Sequence, residues 1–254
     1  GFTPLIIASQ NGHLEVARLL RDAGAAVNQA MNCGSTPLYM ACQTGQPECV
    51  RLLLEASAAV NQVRDSGATP LLRACPKGHL NIARLLLEAG ASVGAADGSG
   101  ASALLLACQE GHVECSRLLL EAGAAINQAN QGGLTPLLAA CHFGHIEIAR
   151  LLRDAGAAVG QVMDGGITPL IMACLQGRVE CAQLLLEASA SANQAADNGA
   201  TPLYAACEAG HMAEGWSEQG ALPALLQPSR ERASTKELHD DVELVVVVLR
   251  LGPL

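Results

Sequence analysis

The sequence predicts an all-α solenoid of stacked helix–turn–helix repeats, about six full copies and a partial seventh. Three observations predict it. The stretch Thr36-Pro37-Leu38-Tyr39-Met40-Ala41-Cys42-Gln43-Thr44-Gly45 returns every thirty-three residues, starting at Thr3, Thr36, Thr69, Ser102, Thr135, Thr168 and Thr201, without insertion or deletion. Self-similarity at a fixed period marks a stacked array. Every copy but the fourth opens on Thr-Pro-Leu, a helix start, and the fourth opens on Ser102-Ala103-Leu104. A leucine run then follows at helical spacing.

The elements follow from local rules. Thr36 is a helix N-cap, its hydroxyl accepting from a free backbone N–H, and Pro37 sits at N1, where a missing donor is harmless. About two helical turns lead to Gly45, which ends the helix because a left-handed C-terminal position suits glycine. A second helix starts near Pro47. In the first copy its apolar residues are Val16, Leu19, Leu20 and Ala23, while Glu15–Arg18 and Arg18–Asp22 stand at ion-pair spacing on another face. It ends at Gly24, and a loop through Asn28 to Gly34 reaches the next copy. Helices this short are marginal alone, so stability must come from neighbours stacking apolar faces. Three irregularities stand out. Ser102-Ala103 replaces Thr-Pro and predicts a weaker helix start. Pro76 should shorten or bend the third copy's first helix. Arg73 holds a position that is otherwise apolar, so its charge must reach solvent or a partner. A longer period of sixty-six residues relates Cys49, Cys115 and Cys181.

Thr-Pro-Leu at 3–5, 36–38, 69–71, 135–137, 168–170 and 201–203, Gly-His at 12–13, 78–79, 111–112, 144–145 and 210–211, and Val-Asn at 27–28 and 60–61 resemble the ankyrin repeat. The resemblance covers residues 1–211, with repeats starting near 1, 34, 67, 100, 133, 166 and 199. It implies a β-turn and two antiparallel helices per repeat in a curved solenoid, and protein binding rather than catalysis. The sequence departs from the family where a histidine commonly follows Thr-Pro-Leu. Here the position holds Ile6, Tyr39, Leu72, Leu105, Leu138, Ile171 or Tyr204, which puts loop rigidity in question. Residues 212–254 show no period and read as an irregular C-terminal tail, with a cap over the last repeat by Trp216, Leu222, Leu225 and Leu226 as the alternative; 244–249 are β-prone and uncharged. The chain starts on the glycine that precedes each Thr-Pro-Leu copy, which suggests a piece of a longer protein.

Composition narrows the function. Half the residues are hydrophobic but only 2% aromatic, so the core must be aliphatic. A net charge of −9 with two lysines argues against nucleic acid and anionic membrane surfaces. No apolar run approaches a membrane helix and no signal peptide is visible. Of ten cysteines, Cys42, Cys75, Cys108, Cys141, Cys174 and Cys207 hold one repeat position. Equivalent positions of adjacent repeats lie ~10 Å apart, beyond disulfide reach, and no Cys/His spacing suits zinc. They read as reduced core residues, which favours a cytoplasmic or nuclear location. Cys33 falls in a loop instead. No nucleophile–base set, phosphate loop or metalloprotease motif appears. The expectation is no catalytic residue, no cofactor and no metal.

The resemblance places a protein partner on the concave face built from loop tips and the exposed side of the first helices. Residue by residue this gives Met31, Asn32, Cys33 and Ser35; Arg64, Asp65, Ser66 and Ala68; Asp97, Gly98, Ser99 and Ala101; Asn130, Gln131 and Leu134; and Met163, Asp164 and Ile167. From the helices come Gln43, Thr44, Lys77, Gln109, Glu110, His142, Phe143, Leu175 and Gln176. Leu134, His142, Phe143, Met163, Ile167 and Leu175 make repeats five and six the most apolar part of this surface and the first choice of contact patch. Leu134 and Ile167 have an alternative role as packing between loops. The Gly-His histidines are expected to bond backbone at the second helix. Asn28, Asn61, Asn127 and Asn193 hold a loop position that asparaginyl hydroxylases modify in some ankyrin proteins, and loop-fixing hydrogen bonds are the simpler role. The expected function is a non-catalytic protein–protein interaction scaffold, a monomer with a protein partner and no nucleic acid or membrane. The alternatives are the recognition arm of a larger enzyme or ubiquitin-ligase adaptor, and a thiol metal or redox protein.

Overall fold

A computed structural model describes residues 1–209; His211 and the tail over 212–254 lie outside the described residues. The described residues form thirteen α-helices and one 3-10 turn. The described residues divide into two compact units, the first Gly1–Gln131 and the second starting at Gly132. In the first unit the pairs are α1 (Pro4–Gln10) with α2 (Leu14–Asp22), α3 (Pro37–Thr44) with α4 (Pro47–Glu55), α5 (Pro70–Ala74) with α6 (Leu80–Glu88), and α7 (Ala103–Gln109) with α8 (Val113–Glu121). The second unit holds α9 (Pro136–Phe143) with α10 (Ile146–Asp154), α11 (Pro169–Leu175) with α12 (Val179–Glu187), and α13 (Pro202–Glu208).

Every first helix starts on a hydroxyl cap. The hydroxyls of Thr3, Thr36, Thr69 and Ser102 accept from the backbone N–H three residues on at 3.1–3.3 Å, and Thr135, Thr168 and Thr201 do the same at 3.1–3.2 Å. The weaker start expected at Ser102 is absent. α7 is as long as α1, because the hydroxyl supplies the cap and proline only pre-sets the backbone behind it. Pro76 acts as expected: α5 stops at Ala74 and Cys75–Lys77 tighten into the 3-10 turn.

The core is aliphatic and repeats with the sequence. Leu38, Leu71 and Leu104 of the first helices and Leu53, Leu86 and Leu119 of the second are buried in the first unit, as are Leu137, Leu170, Leu152 and Leu185 in the second. All ten cysteines are free, and Cys42, Cys75, Cys108, Cys141 and Cys174 are fully buried. Cys207, at the same repeat position, is half-buried. Cys141 also contacts Cys181 of the following repeat, forty positions on and outside the equivalent register; that hydrogen bond and burial push the Cys141 thiol up. One apolar face behaves otherwise than its pattern suggests. Val16 and Leu19 of α2 are 49% and 70% exposed, while their counterparts Cys49 and Leu52 are buried in α4, which packs against α2. In the first repeat Ala17 alone of α2 is fully buried.

The inter-repeat loops are β-turns. Gly34 N–H donates to Met31 O, Gly67 to Arg64 O and Gly100 to Asp97 O, each glycine at a φ near +80°. Successive loops are also tied by single backbone bonds: Asp65 N–H to Cys33 O at 3.3 Å, Gly98 to Ser66 O at 2.9 Å and Gln131 to Ser99 O at 2.9 Å in the first unit. In the second unit Asp164 donates to Gly132 O and Asp197 to Gly165 O. This backbone ladder and the asparagines fix the loops without the family's histidine. Asn28 Oδ1 accepts from Ala59 N–H and Asn61 Oδ1 from Ser92 N–H, both at 2.8 Å.

Candidate functional site

Loop tips and first-helix ends carry the side chains that vary between repeats. In the first unit Asn32, Gln43, Thr44, Asp65, Ser66, Lys77, Glu110 and Gln131 are exposed, and Met31, Cys33, Arg64 and Gln109 are half-buried. Two of the exposed ones serve the scaffold. Thr44 Oγ1 donates to Gln10 O of the preceding repeat at 2.7 Å, and Gln131 Nε2 donates to Gly98 O at 3.1 Å.

Ser35 is a correction. It is 2% exposed and cannot touch a partner. Ala68 and Ala101, one repeat apart, are buried likewise. The residue just before the cap turns inward beneath its own β-turn, so a small side chain there supports the loop. Ser35 Oγ lies 3.2 Å from Cys33 Sγ. That bond, Ser35's backbone and the Arg64 guanidinium hold the Cys33 thiol below its ordinary range. Asp97 is similarly held: burial would raise its carboxyl, but bonds from Ser99 Oγ (2.6 Å), Ser99 N–H (2.9 Å) and Ala101 N–H (3.1 Å), with the Arg73 charge, keep it below the usual carboxylate range.

Arg73, the irregular charge of the third repeat, is half-buried and stands at ion-pair distance from no carboxylate among the described residues. Its Nε donates to Tyr39 Oη at 2.8 Å, thirty-four residues back. Tyr39 is 1% exposed, and the Arg64 and Arg73 guanidinium carbons stand 5.7 and 5.8 Å from its ring centroid. Arg64 contacts the same hydroxyl and then Cys33, and both contacts raise its pKa. A cavity of about 220 Å3 opens beside Arg73, with Pro76, Lys77, Asp97, Leu106 and Glu110 in its wall. A larger one, about 370 Å3, lies around Gly45, Pro47 and His79. It is the packing seam between helix pairs, where Gly45 abuts the His79 ring.

Sequence reasoning singled out Arg73 and Tyr39 separately but did not join them. Their one-repeat-plus-one spacing was the available signal.

In the second unit, α9 packs against α11. Phe143 is 41% exposed at the end of α9, with its ring 4.5 Å edge-on from His142 and stacked on His145 at 6.1 Å between centroids. His142 Nδ1 lies 3.1 Å from Met172 Sδ, and Arg178 Nε donates to His142 O at 3.3 Å. Leu134, Met163, Ile167 and Leu175 are half-buried, and Asp164 and Gln176 exposed. Leu134 and Ile167 occupy the inward register of Ser35, so they wedge partly beneath their loops and keep the rest of their surface open. His112 of the Gly-His series hydrogen-bonds Pro76 O through Nε2 at 3.1 Å, in the backbone role expected. No group of three or more metal-ligating side chains occurs among the described residues.

The family model "Ankyrin repeats (3 copies)" matches residues 5–97, 93–162 and 153–214. Among solved structures, the human ASB11 ankyrin repeat domain is 30% identical, with a TM-score of 0.76, covering 91% of this chain and 100% of that one. The ankyrin repeat domain of Bcl-3, a unique member of the IkappaB protein family, is 29% identical, with a TM-score of 0.71, covering 81% of this chain and 94% of that one. No curated protein matches the chain. With its repeats matched over most of its length, the chain belongs to the ankyrin repeat family, whose domains generally mediate protein–protein interaction.

Proposed function

We propose that this chain is a non-catalytic recognition module that meets a protein partner on its concave face, through loop tips and first-helix ends. The observation that carries the reading is Phe143. An aromatic ring with 41% exposure is held between two imidazole rings on a surface otherwise poor in aromatics. A large side chain already fixed in place loses little freedom on binding, which is what distinguishes an interface anchor from an incidental exposed ring. Leu134, Ile167, Met163 and Leu175 offer partly open apolar surface in the same two repeats, and Asp164 and Gln176 supply a polar rim. The free thiols fit a reducing compartment, the cytoplasm or nucleus.

The test is binding by the full chain to a partner isolated with it as bait. Phe143→Ala with Leu175→Ala should weaken binding by about 2 kcal/mol or more, roughly thirtyfold, at unchanged helicity. An unchanged affinity removes the patch from the interface.

A further inference from the structure

We propose that the first unit carries a second, chemically different subsite: Arg64 and Arg73, converging on Tyr39, receive an Asp or Glu carboxylate from an extended acidic segment of a protein partner. Both guanidiniums lie within 6 Å of one buried ring, and Arg73 already donates to its oxygen. Two cations gathered on one phenol favour an anion beside them. Among the described residues neither has a carboxylate at ion-pair distance, and neither does Lys77, which is exposed on the turn following Arg73. The phenol takes the Nε–H of Arg73 and also contacts Arg64, and the remaining donors of both forks match a planar, two-oxygen acceptor.

The surroundings choose between anions. Asp97, already fastened to its own loop by Ser99 and Ala101, sits within electrostatic reach of Arg73 and offsets part of the positive charge. Asp65 and Glu110 are exposed on neighbouring positions of the face. This balance accepts a monoanion and opposes a phosphate dianion. The cavity of about 220 Å3 beside Arg73 offers Leu106 and Pro76 to an aliphatic stem and carries Lys77, Asp97 and Glu110 in its wall, which is room for one side chain. The occupant is therefore a peptide segment lying along the face. The subsite rests on the reading of this face as a binding face, but it uses no residue of the Phe143 patch.

Fluorescence anisotropy on the full chain tests it. The probe is a fluorescein-labelled Gly/Ser-framed peptide containing a run of glutamates; one comparison peptide replaces them with glutamines, and another with a single phosphoserine. The glutamate peptide should bind at least about tenfold tighter than the glutamine peptide and weaken as salt rises from about 50 to about 300 mM. Arg64→Gln with Arg73→Gln should lose at least about tenfold at unchanged helicity. Tyr39→Phe, which keeps both charges, should bind more weakly than the native chain but better than the double variant. Should the double variant lose helicity, Lys77→Glu at an exposed position carries the test, and an unchanged affinity there overturns the subsite. Equal binding of the glutamate and glutamine peptides, or no binding of either, overturns it too. A phosphoserine peptide more than about tenfold tighter than the glutamate one, lost in the same variants, overturns the carboxylate assignment. A partner still held through Phe143 and Leu175 while the glutamate peptide fails to bind overturns this subsite alone.

Discussion

Cys33 and Ser35 divide one loop between chemistry and support. The buried hydroxyl of Ser35 lies 3.2 Å from the Cys33 sulfur, and with the nearby Arg64 it stabilises the thiolate. A lowered thiol pKa means that the reactive anion persists to lower pH than in an ordinary cysteine. In a native pulse with iodoacetamide near neutral pH, Cys33 should therefore label well ahead of Cys42, Cys75 and Cys108, whose burial pushes their thiols up. Ser35→Ala should slow Cys33 and move the midpoint of its pH–rate profile upward. Mass spectrometry that finds Cys33 protected as well as the core thiols, or its profile unmoved by Ser35→Ala, refutes the assignment. Sequence alone put Ser35 on the interface because its loop is exposed. The inward turn at the residue before each cap is a tertiary feature, and in this chain only the small size of Ser35, Ala68 and Ala101 hinted at it.

At the scale of helices and turns, the sequence was legible wherever one residue type solves a local backbone problem. Hydroxyl caps, Pro76 and the glycine turns all appear where their chemistry demands. Gly45 is the clearest: its φ is +75°, and a Cβ there would come within 2.6 Å of His79 Cε1. Gly45→Ala should destabilise the array by more than about 1 kcal/mol, read as a lower urea midpoint at unchanged slope. The opposite holds at Ser57 and Ser189. They end second helices at φ of 62° and 63°, where Gly24, Gly90, Gly123 and Gly156 stand in other repeats. Ser57→Gly or Ser189→Gly should relieve left-handed strain and stabilise by about 0.5–1 kcal/mol after the greater freedom of the unfolded glycine is subtracted. A midpoint that falls in either variant refutes the strain. The Tyr39–Arg73 contact was not legible in the same way. It joins two departures from the repeat that lie in different copies, and a periodic reading treats each departure alone.

For the whole molecule, the repeated cysteine position has a consequence that no single repeat shows. Stability in a stacked array is shared between neighbours, so small equal terms in successive repeats accumulate. Burial pushes the Cys108 and Cys174 thiols up to about 12 from an ordinary 9.0, and Cys42 and Cys75 higher still. A thiol whose pKa is raised by folding favours the folded chain while it stays protonated. Its contribution is complete below the unfolded value and is lost as pH rises from 9 toward 12. Each such group adds a slope of up to about 1.4 kcal/mol per pH unit in that window, and several act at once. The urea midpoint should thus stay nearly level from pH 7 to 8.5 and fall steeply above pH 9. Replacing Cys108 and Cys174 with alanine lowers stability throughout, because each loses packed sulfur, but should flatten the alkaline slope. An alkaline slope as steep in that double variant as in the native chain assigns the loss to other groups. The same burial that makes these thiols inert at neutral pH makes the array collectively sensitive to base, although no cysteine in it is catalytic or metal-bound in the proposed function.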